Sequence, residues 1–175
     1  VLEAKIVNAD LGSGITYNCK LLGFWFLDRD FFLVFFFFFV DFLAVSLFFV
    51  VNSSVAAAAA AASAEAGLTV IADYFQKTSA ESFAQDHWAA GMVYSRHTLE
   101  HSPNPVSFME GIAAVLSEDG FGLLEVPYLP LQMMNGQFQS TTFQHELFFS
   151  VSSMLRVLDN SGLALTNVQF VPMDG

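Results

Sequence analysis

From Leu68 onward the apolar and polar positions of the chain switch between two periods, and the switches mark its elements. "LTVIADYF" (68–75) is a β-branched run that predicts a short strand ending at Asp73. "ESFAQDHWAAG" (81–91) reads as helix or loop, and "MVYSRH" (92–97) opens apolar and predicts a strand. Asn104 is a candidate N-cap with Pro105 at the first helical position. Val106, Met109, Ile112, Ala113 and Leu116 then recur at helical spacing, and Asp119-Gly120 ends that helix. "FGLLEVPYL" (121–129) predicts the next strand. "SVSSMLRVLDNSG" (150–162) predicts a serine-capped helix stopped by Gly162, and "LALTNVQFV" (163–171) a further strand. Strand and helix alternate as in β-α-β units, so the expectation is an open α/β sheet. Ligands of such sheets bind beyond the carboxyl ends of the strands.

The N-terminal third lacks this order. "FFLVFFFFFVDFLAVSLFFVV" (31–51) holds ten phenylalanines and one charge, Asp41. Its twenty-one residues are long enough to span a bilayer. Asp41 at its centre would cost roughly 3 kcal/mol there, and no Lys/Arg cluster flanks the run. A basic n-region and a small-residue cleavage site, the marks of a signal peptide, are not evident either. Three readings are ranked: translated non-coding sequence, then a buried or misfolded apolar segment, then a membrane helix. The expectation is that residues 21–51, an anomalous Phe-rich insertion, supply no well-formed second strand. "VAAAAAAASAEAG" (55–67) predicts an ordinary alanine-rich helix stopped by Gly67.

Composition then narrows the partners. A chain of 175 residues has room for one domain with a real core. It runs from Val1 to Gly175 and reads as a fragment or the product of an imperfect gene prediction. A net charge of −11 argues against nucleic acid and against an anionic membrane surface. The single Cys19 excludes a disulfide framework and any multi-cysteine zinc module. One cysteine is compatible with a reducing compartment, the cytoplasm being the expectation, and no oligomeric state follows from the residues.

Chemistry concentrates in "YSRHTLEHSPNP" (94–105). His97-Thr98-Leu99-Glu100-His101 is an H-x-x-E-H string, which in one class of zinc peptidases supplies two metal ligands and a base. That arrangement needs a helix to bring positions i and i+4 onto one face. Here Pro103 and Pro105 follow closely, so no helix is expected and no metal is assigned. The bland alternative is a loop whose polar groups bond locally; the sharper one is a ligand-binding loop at a strand's carboxyl end.

"SRHTLEHSPNPVSFMEGIAAVLSEDGFGLLEVPYL" resembles the fourth strand, helix and fifth strand of class I S-adenosylmethionine-dependent methyltransferases. "EVPYLPLQMMNGQFQSTTFQHELFFSVSSMLRVLDNSGL" is similar to the C-methyltransferase branch that includes the deoxysugar C-methyltransferases. That branch carries "E-V-P-Y", "G-Q-F-D" and "Y-H-E-H" followed by "Y-F-S". The resemblance covers roughly residues 68–175. It implies a Rossmann-like α/β sheet, S-adenosylmethionine as cofactor, and methyl transfer to carbon of a small-molecule substrate, a sugar-like acceptor. It makes residues 1–175 a partial methyltransferase domain, incomplete or disrupted in its N-terminal third. An inactive methyltransferase-like fragment and a membrane-anchored protein are the alternatives.

The resemblance also assigns residues. "VLE" (1–3) looks like the end of a first strand, and Asp10, Gly12 and Gly14 in "ADLGSG" look like the family's glycine loop. An ordinary turn explains those glycines equally. At Val51-Asn52-Ser53, where the family shows an acid for the ribose hydroxyls, this chain has none. Asp73 falls where the family places the acid near the adenine amino group, with Tyr74 and Phe75 against the ring. A helix cap and two core aromatics are the plainer alternative. Ser95, Arg96 and His97 fall beside the methionine part of the cofactor, and Glu100 and His101 line the same loop. An ungapped match from Phe138 to Ser150 sets the last histidine of "Y-H-E-H" on His145. A one-residue deletion instead makes His145-Glu146 the "H-E", and both alignments stand. His145 resembles the general base that removes a proton beside a carbonyl, a task suited to imidazole. Glu100, His101 and Tyr128 shape the pocket around it.

Overall fold

The computed structural model describes residues 2–8, 33–40, 43–50, 69–71, 73–87, 89–137 and 145–170. Among them, seven strands form one sheet: β1 (Leu2–Asn8), β2 (Leu33–Val40), β3 (Leu43–Val50), β4 (Thr69–Ile71), β5 (Ala90–Arg96), β6 (Leu116–Val126) and β7 (Leu163–Phe170), in the order β4-β3-β2-β5-β6-β1-β7. Four helices accompany them: α1 (Lys77–Asp86), α2 (Pro105–Val115), α3 (Leu129–Met134) and α4 (Val151–Asp159). None of the described helices is long and apolar enough to cross a membrane.

The pairings make β3, β4, β5, β6 and β7 run one way, with β1 and β2 against them. The α/β architecture expected from the alternation is therefore present. β5 and β6 are parallel neighbours, with Arg96 opposite Glu125, so Ser95–His97 and Val126–Tyr128 leave adjacent strand ends.

The expectation that residues 21–51 supply no strand is corrected. Leu33–Val40 pairs antiparallel with Leu43–Val50 on one side and with β5 on the other. Both segments are apolar at odd and even positions, the composition of a strand inside a sheet covered on both faces. The predicted helix at 55–67 lies outside the described residues. Leu2 and Glu3 begin a strand rather than end one: β1 runs antiparallel to β6 from Leu2 opposite Val126 to Val7 opposite Phe121. Gly122 leaves room for the Ile6 side chain opposite it, since a Cβ there would sit 2.7 Å from Cγ1 of Ile6.

α2 starts as the sequence indicates. Asn104 Oδ1 accepts a hydrogen bond from the Ser107 N–H at 3.0 Å, and Pro105 opens the helix. It ends earlier than expected, at Val115, and Leu116 already pairs with Ala90 of β5. Between Ala90 and Met92 the partner position moves from Leu116 to Phe121, so Ser117–Gly120 bulge from the ladder with Glu118 and Asp119 exposed. A buried first strand residue at helical distance from Ile112 mimicked one more helical turn. α4 carries a capping box: Ser150 Oγ accepts from the Ser153 N–H at 3.2 Å, and Ser153 Oγ accepts from the Ser150 N–H at 2.9 Å. Gly162, at φ +75°, reverses the chain into β7 where a side chain would be strained.

The core lies between sheet and helices. Ile6 of β1, Val93 of β5 and Leu124 of β6 join Phe108, Met109 and Ile112 of α2, with Met154 and Leu158 of α4 beside them. Phe75 meets Phe108 edge-on at 5.0 Å between ring centres, which anchors the segment after β4 to α2.

Candidate active site

The loop leaving β5 is held by its own polar groups. The His97 N–H donates to the Glu125 carbonyl at 3.0 Å, continuing the β5–β6 ladder by one bond. His97 itself has φ 48°. That left-handed conformation costs a non-glycine residue about 1–2 kcal/mol, and it turns the chain abruptly at the strand end. Thr98 Oγ1 donates to the Arg96 carbonyl at 3.0 Å, and Leu99–His101 form one 3-10 turn. The H-x-x-E-H string therefore lies on no α-helix. His97 Nδ1 is 3.0 Å from Oε1 of Glu100, and against a carboxylate the ring nitrogen is the donor.

Glu100 is 0% exposed. Its backbone carbonyl accepts from both the Glu146 N–H, at 2.9 Å, and the Leu147 N–H, at 3.0 Å. Those two bonds tie the segment that begins at His145 to the loop after β5. In consequence the His101 and His145 rings stand edge to face with centres 4.9 Å apart. One possible donor atom each from Glu100, His101 and His145 lie within 4.8 Å of one another. Oε2 of Glu100 and Nδ1 of His145 are buried and have no hydrogen-bond partner among the described residues.

A cleft of about 280 Å³ opens beside this group. Asp73, Tyr74, Phe75 and Gln76 form one side of it; Thr98, His101, Ser102, Pro103, Asn104 and Glu146 the other, with Phe108 also in its lining. It sits beyond the carboxyl ends of β4 and β5, the place expected for a ligand of an α/β sheet. Asp73 is exposed and its Oδ1 accepts from the Tyr74 N–H at 2.7 Å. The Tyr74 ring is 54% exposed, whereas Phe75 is buried.

Of the residues singled out in the sequence, the structure brings Asp73, Tyr74, Phe75 and His101 to the cleft, and Glu100 and His145 to His101. Ser95, Arg96 and His97 do not line it. Ser95 is buried within β5; Arg96 Nε pairs with Glu125 Oε2 at 2.9 Å; His97 turns to Glu100. Tyr128 is not in the cleft's lining; its ring is 4.9 Å from that of Phe170. It belongs to the frame of the site: Tyr128 bridges to Phe149, and the Leu129 N–H donates to the Phe149 carbonyl at 3.0 Å. Asp10, Gly12 and Gly14 lie outside the described residues. The strand before them, β1, ends at the edge of the sheet opposite the carboxyl ends of β5 and β6. Sequence reasoning missed Gln76, Thr98 and Ser102 as cleft residues. Their only signal is adjacency to Asp73–Phe75 and to the string at 97–101. Glu125 was also missed, although Tyr94 donates to its Oε1 at 2.9 Å and Arg96 forms an ion pair with its Oε2.

Comparison with known proteins adds two findings. A family model described as a methyltransferase domain matches residues 10–168. The chain is also 30% identical over 111 residues to the C-methyltransferase NovU of Streptomyces niveus, an alignment covering 63% of this chain. The chain spans about a quarter of that relative, 26% of its length.

Proposed function

This chain belongs to the methyltransferase domain family, and from that premise we propose that it transfers a methyl group from S-adenosylmethionine to carbon of a small, sugar-like acceptor, with His145 as base. The observation that carries this reading is the meeting of His145 with Glu100 and His101 at the rim of the cleft lined by Asp73–Gln76. His101 belongs to both sets, so the cofactor side and the proton-transfer side share a wall.

The cleft's residues fit an adenosyl group. An exposed carboxylate at Asp73 can accept from an exocyclic amine, and the open Tyr74 ring offers a stacking face. Asp73, Tyr74 and Phe75 would hold the adenine end, and the Thr98–Asn104 wall the remainder. When bound, S-adenosylmethionine supplies an electrophilic methyl on a positively charged sulfur. His145 takes the proton from an acceptor carbon beside a carbonyl. The acceptor carbon, left with the electron pair of its C–H bond, would then be able to take that methyl, with the neutral thioether as the leaving group. Glu100, fully buried, supports the positive charge that His145 gains. His97, through its 3.0 Å bond to Oε1, keeps the Glu100 carboxylate in place. Base removal commonly costs about 10²–10⁴ in rate. His145→Ala is therefore expected to lose turnover by that factor while calorimetric binding of S-adenosylmethionine stays within a few-fold.

A second reading, a remnant that binds no cofactor, draws on two observations. No acid stands at Val51-Asn52-Ser53, and β1 ends at the sheet edge away from the cleft. Absence of S-adenosylmethionine binding at millimolar concentration would establish that reading and overturn the first.

A further inference from the structure

Glu100 presents a problem that the proposed chemistry leaves unsolved. Its carboxylate is wholly buried, and among the described residues only Oε1 finds a partner, His97. Oε2 has no hydrogen-bond partner among the described residues. A buried carboxylate oxygen without a donor carries a desolvation penalty that native folds rarely leave uncompensated. His145 Nδ1 has the same character: it is buried and has no hydrogen-bond partner among the described residues. Both belong to the one group of described residues whose donors, from Glu100, His101 and His145, converge to within 4.8 Å.

Two imidazoles and a carboxylate are a ligand set for zinc and its neighbours in the first transition row. We propose that Glu100, His101 and His145 form a binding site for a divalent transition-metal ion of the zinc class. Three protein donors leave a coordination position open to water or to an oxygen of a ligand in the adjoining cleft. His97 acts from outside the coordination sphere, its Nδ1 holding the second carboxylate oxygen, the kind of support that orients metal ligands. The backbone needs no rearrangement, because the Glu146 and Leu147 N–H groups already fasten the His145 segment to Glu100. Side-chain rotations that draw the three donors inward complete the site. This is not the helix-borne H-x-x-E-H arrangement: His97 is not a ligand, and the third donor comes from the segment before α4.

Occupancy has a consequence that rests on the reading of His145 as base. A metal on its ring removes the base, so zinc inhibits methyl transfer and a chelator restores it. Metal binding itself does not depend on that reading.

The test is a titration of the full chain, first stripped with EDTA, with zinc by calorimetry and with cobalt(II) by visible absorption. One equivalent is expected to bind with a dissociation constant on the order of micromolar or tighter, with cobalt absorption in the range of a low-coordinate site. His145→Ala is expected to weaken binding by about 100-fold or more, and His97→Ala by about 10–100-fold. His87→Ala, on the ring stacked against Phe83 beyond α1, leaves it unchanged. His145 lies on a segment without regular structure and is only partly buried, so its replacement by alanine should retain the fold, checked by circular dichroism. No binding by the unmutated chain overturns the proposal, and so does unchanged binding in folded His145→Ala. Cofactor binding measured in EDTA tests the methyltransferase reading separately, so either can fail alone.

Discussion

β6 and β2 occupy the same sheet, yet their sequences specify them to very different degrees. From Gly120 to Val126 β6 alternates strictly between buried and partly exposed positions, with Leu124 and Val126 both 1% exposed. A slip of one residue would bring Glu125 to the core face and turn Leu124 and Val126 away from it. β2 reads "LVFFFFFV", apolar at every position, and a slip of one or two residues there presents the same kind of side chain again. The pattern fixes which face each residue of Gly120–Val126 shows, though not where β6 begins, and leaves β2 without a preferred register. The functional end of the molecule follows this division. Its cleft and its Glu100 group are built from segments between β4 and α4, where pattern, caps and turns agree.

The sharpest way to break the comparison is to shift each strand by one. A residue inserted between Leu123 and Leu124 is expected to abolish cooperative thermal unfolding, since each buried aliphatic side chain turned out costs about 1.5–3 kcal/mol and the Arg96–Glu125 pair is lost as well. An extra phenylalanine within Phe35–Phe39 is expected to leave the transition cooperative, with its midpoint moved by a few degrees. Equal damage from both insertions would mean that β2 has a specified register after all.

Within the patterned region, Phe108→Ala is expected to destabilise by about 3–5 kcal/mol in denaturant unfolding, as large aromatic truncations in cores do. The same change removes the edge contact with Phe75 and part of the cleft lining, so S-adenosylmethionine binding should fall with it. Asp73→Ala addresses the cleft without the core. It should weaken cofactor binding by roughly ten-fold, the worth of one hydrogen bond to a charged group, and leave the unfolding midpoint unchanged because the side chain is exposed. The smallest effect is at a cap. Ser150→Ala removes the Oγ that accepts from the Ser153 N–H, leaving the bond from the Ser150 N–H to Ser153 Oγ, and should cost about 1 kcal/mol.

The local elements were legible because each rests on short-range physics. Asn104 and Pro105 start α2 through a side-chain acceptor and a preset φ. Ser150 and Gly162 bracket α4 by capping and by a left-handed residue. The two prolines after His101 limited that loop to a single 3-10 turn. Asp73, Tyr74 and Phe75 were named from the family resemblance, which places an acid after this strand; the three residues read alone suit a helix cap and two core aromatics. By contrast, Leu116 was assigned to a helix because its spacing from Ile112 suits either period, and only pairing with Ala90 decides it.

What the chain alone determined, then, is β4, β5, the later part of β6, β7 and the starts of α2 and α4, with a loop at residues 97–101, while "ESFAQDHWAAG" suits helix or loop and nothing local announces α3. Tertiary structure decided the rest, since it depends on contacts between distant segments. No local signal says that Leu2–Asn8 runs antiparallel between β6 and β7, because a strand takes its direction from its neighbours. The phenylalanine run shows the same dependence, forming strands only through pairing with β5 and with its own second half. The meeting of His145 with Glu100 and His101 comes from two backbone bonds to the Glu100 carbonyl. A peptide carbonyl accepts from any N–H that the fold delivers to it, so that juxtaposition exists only once the chain has folded.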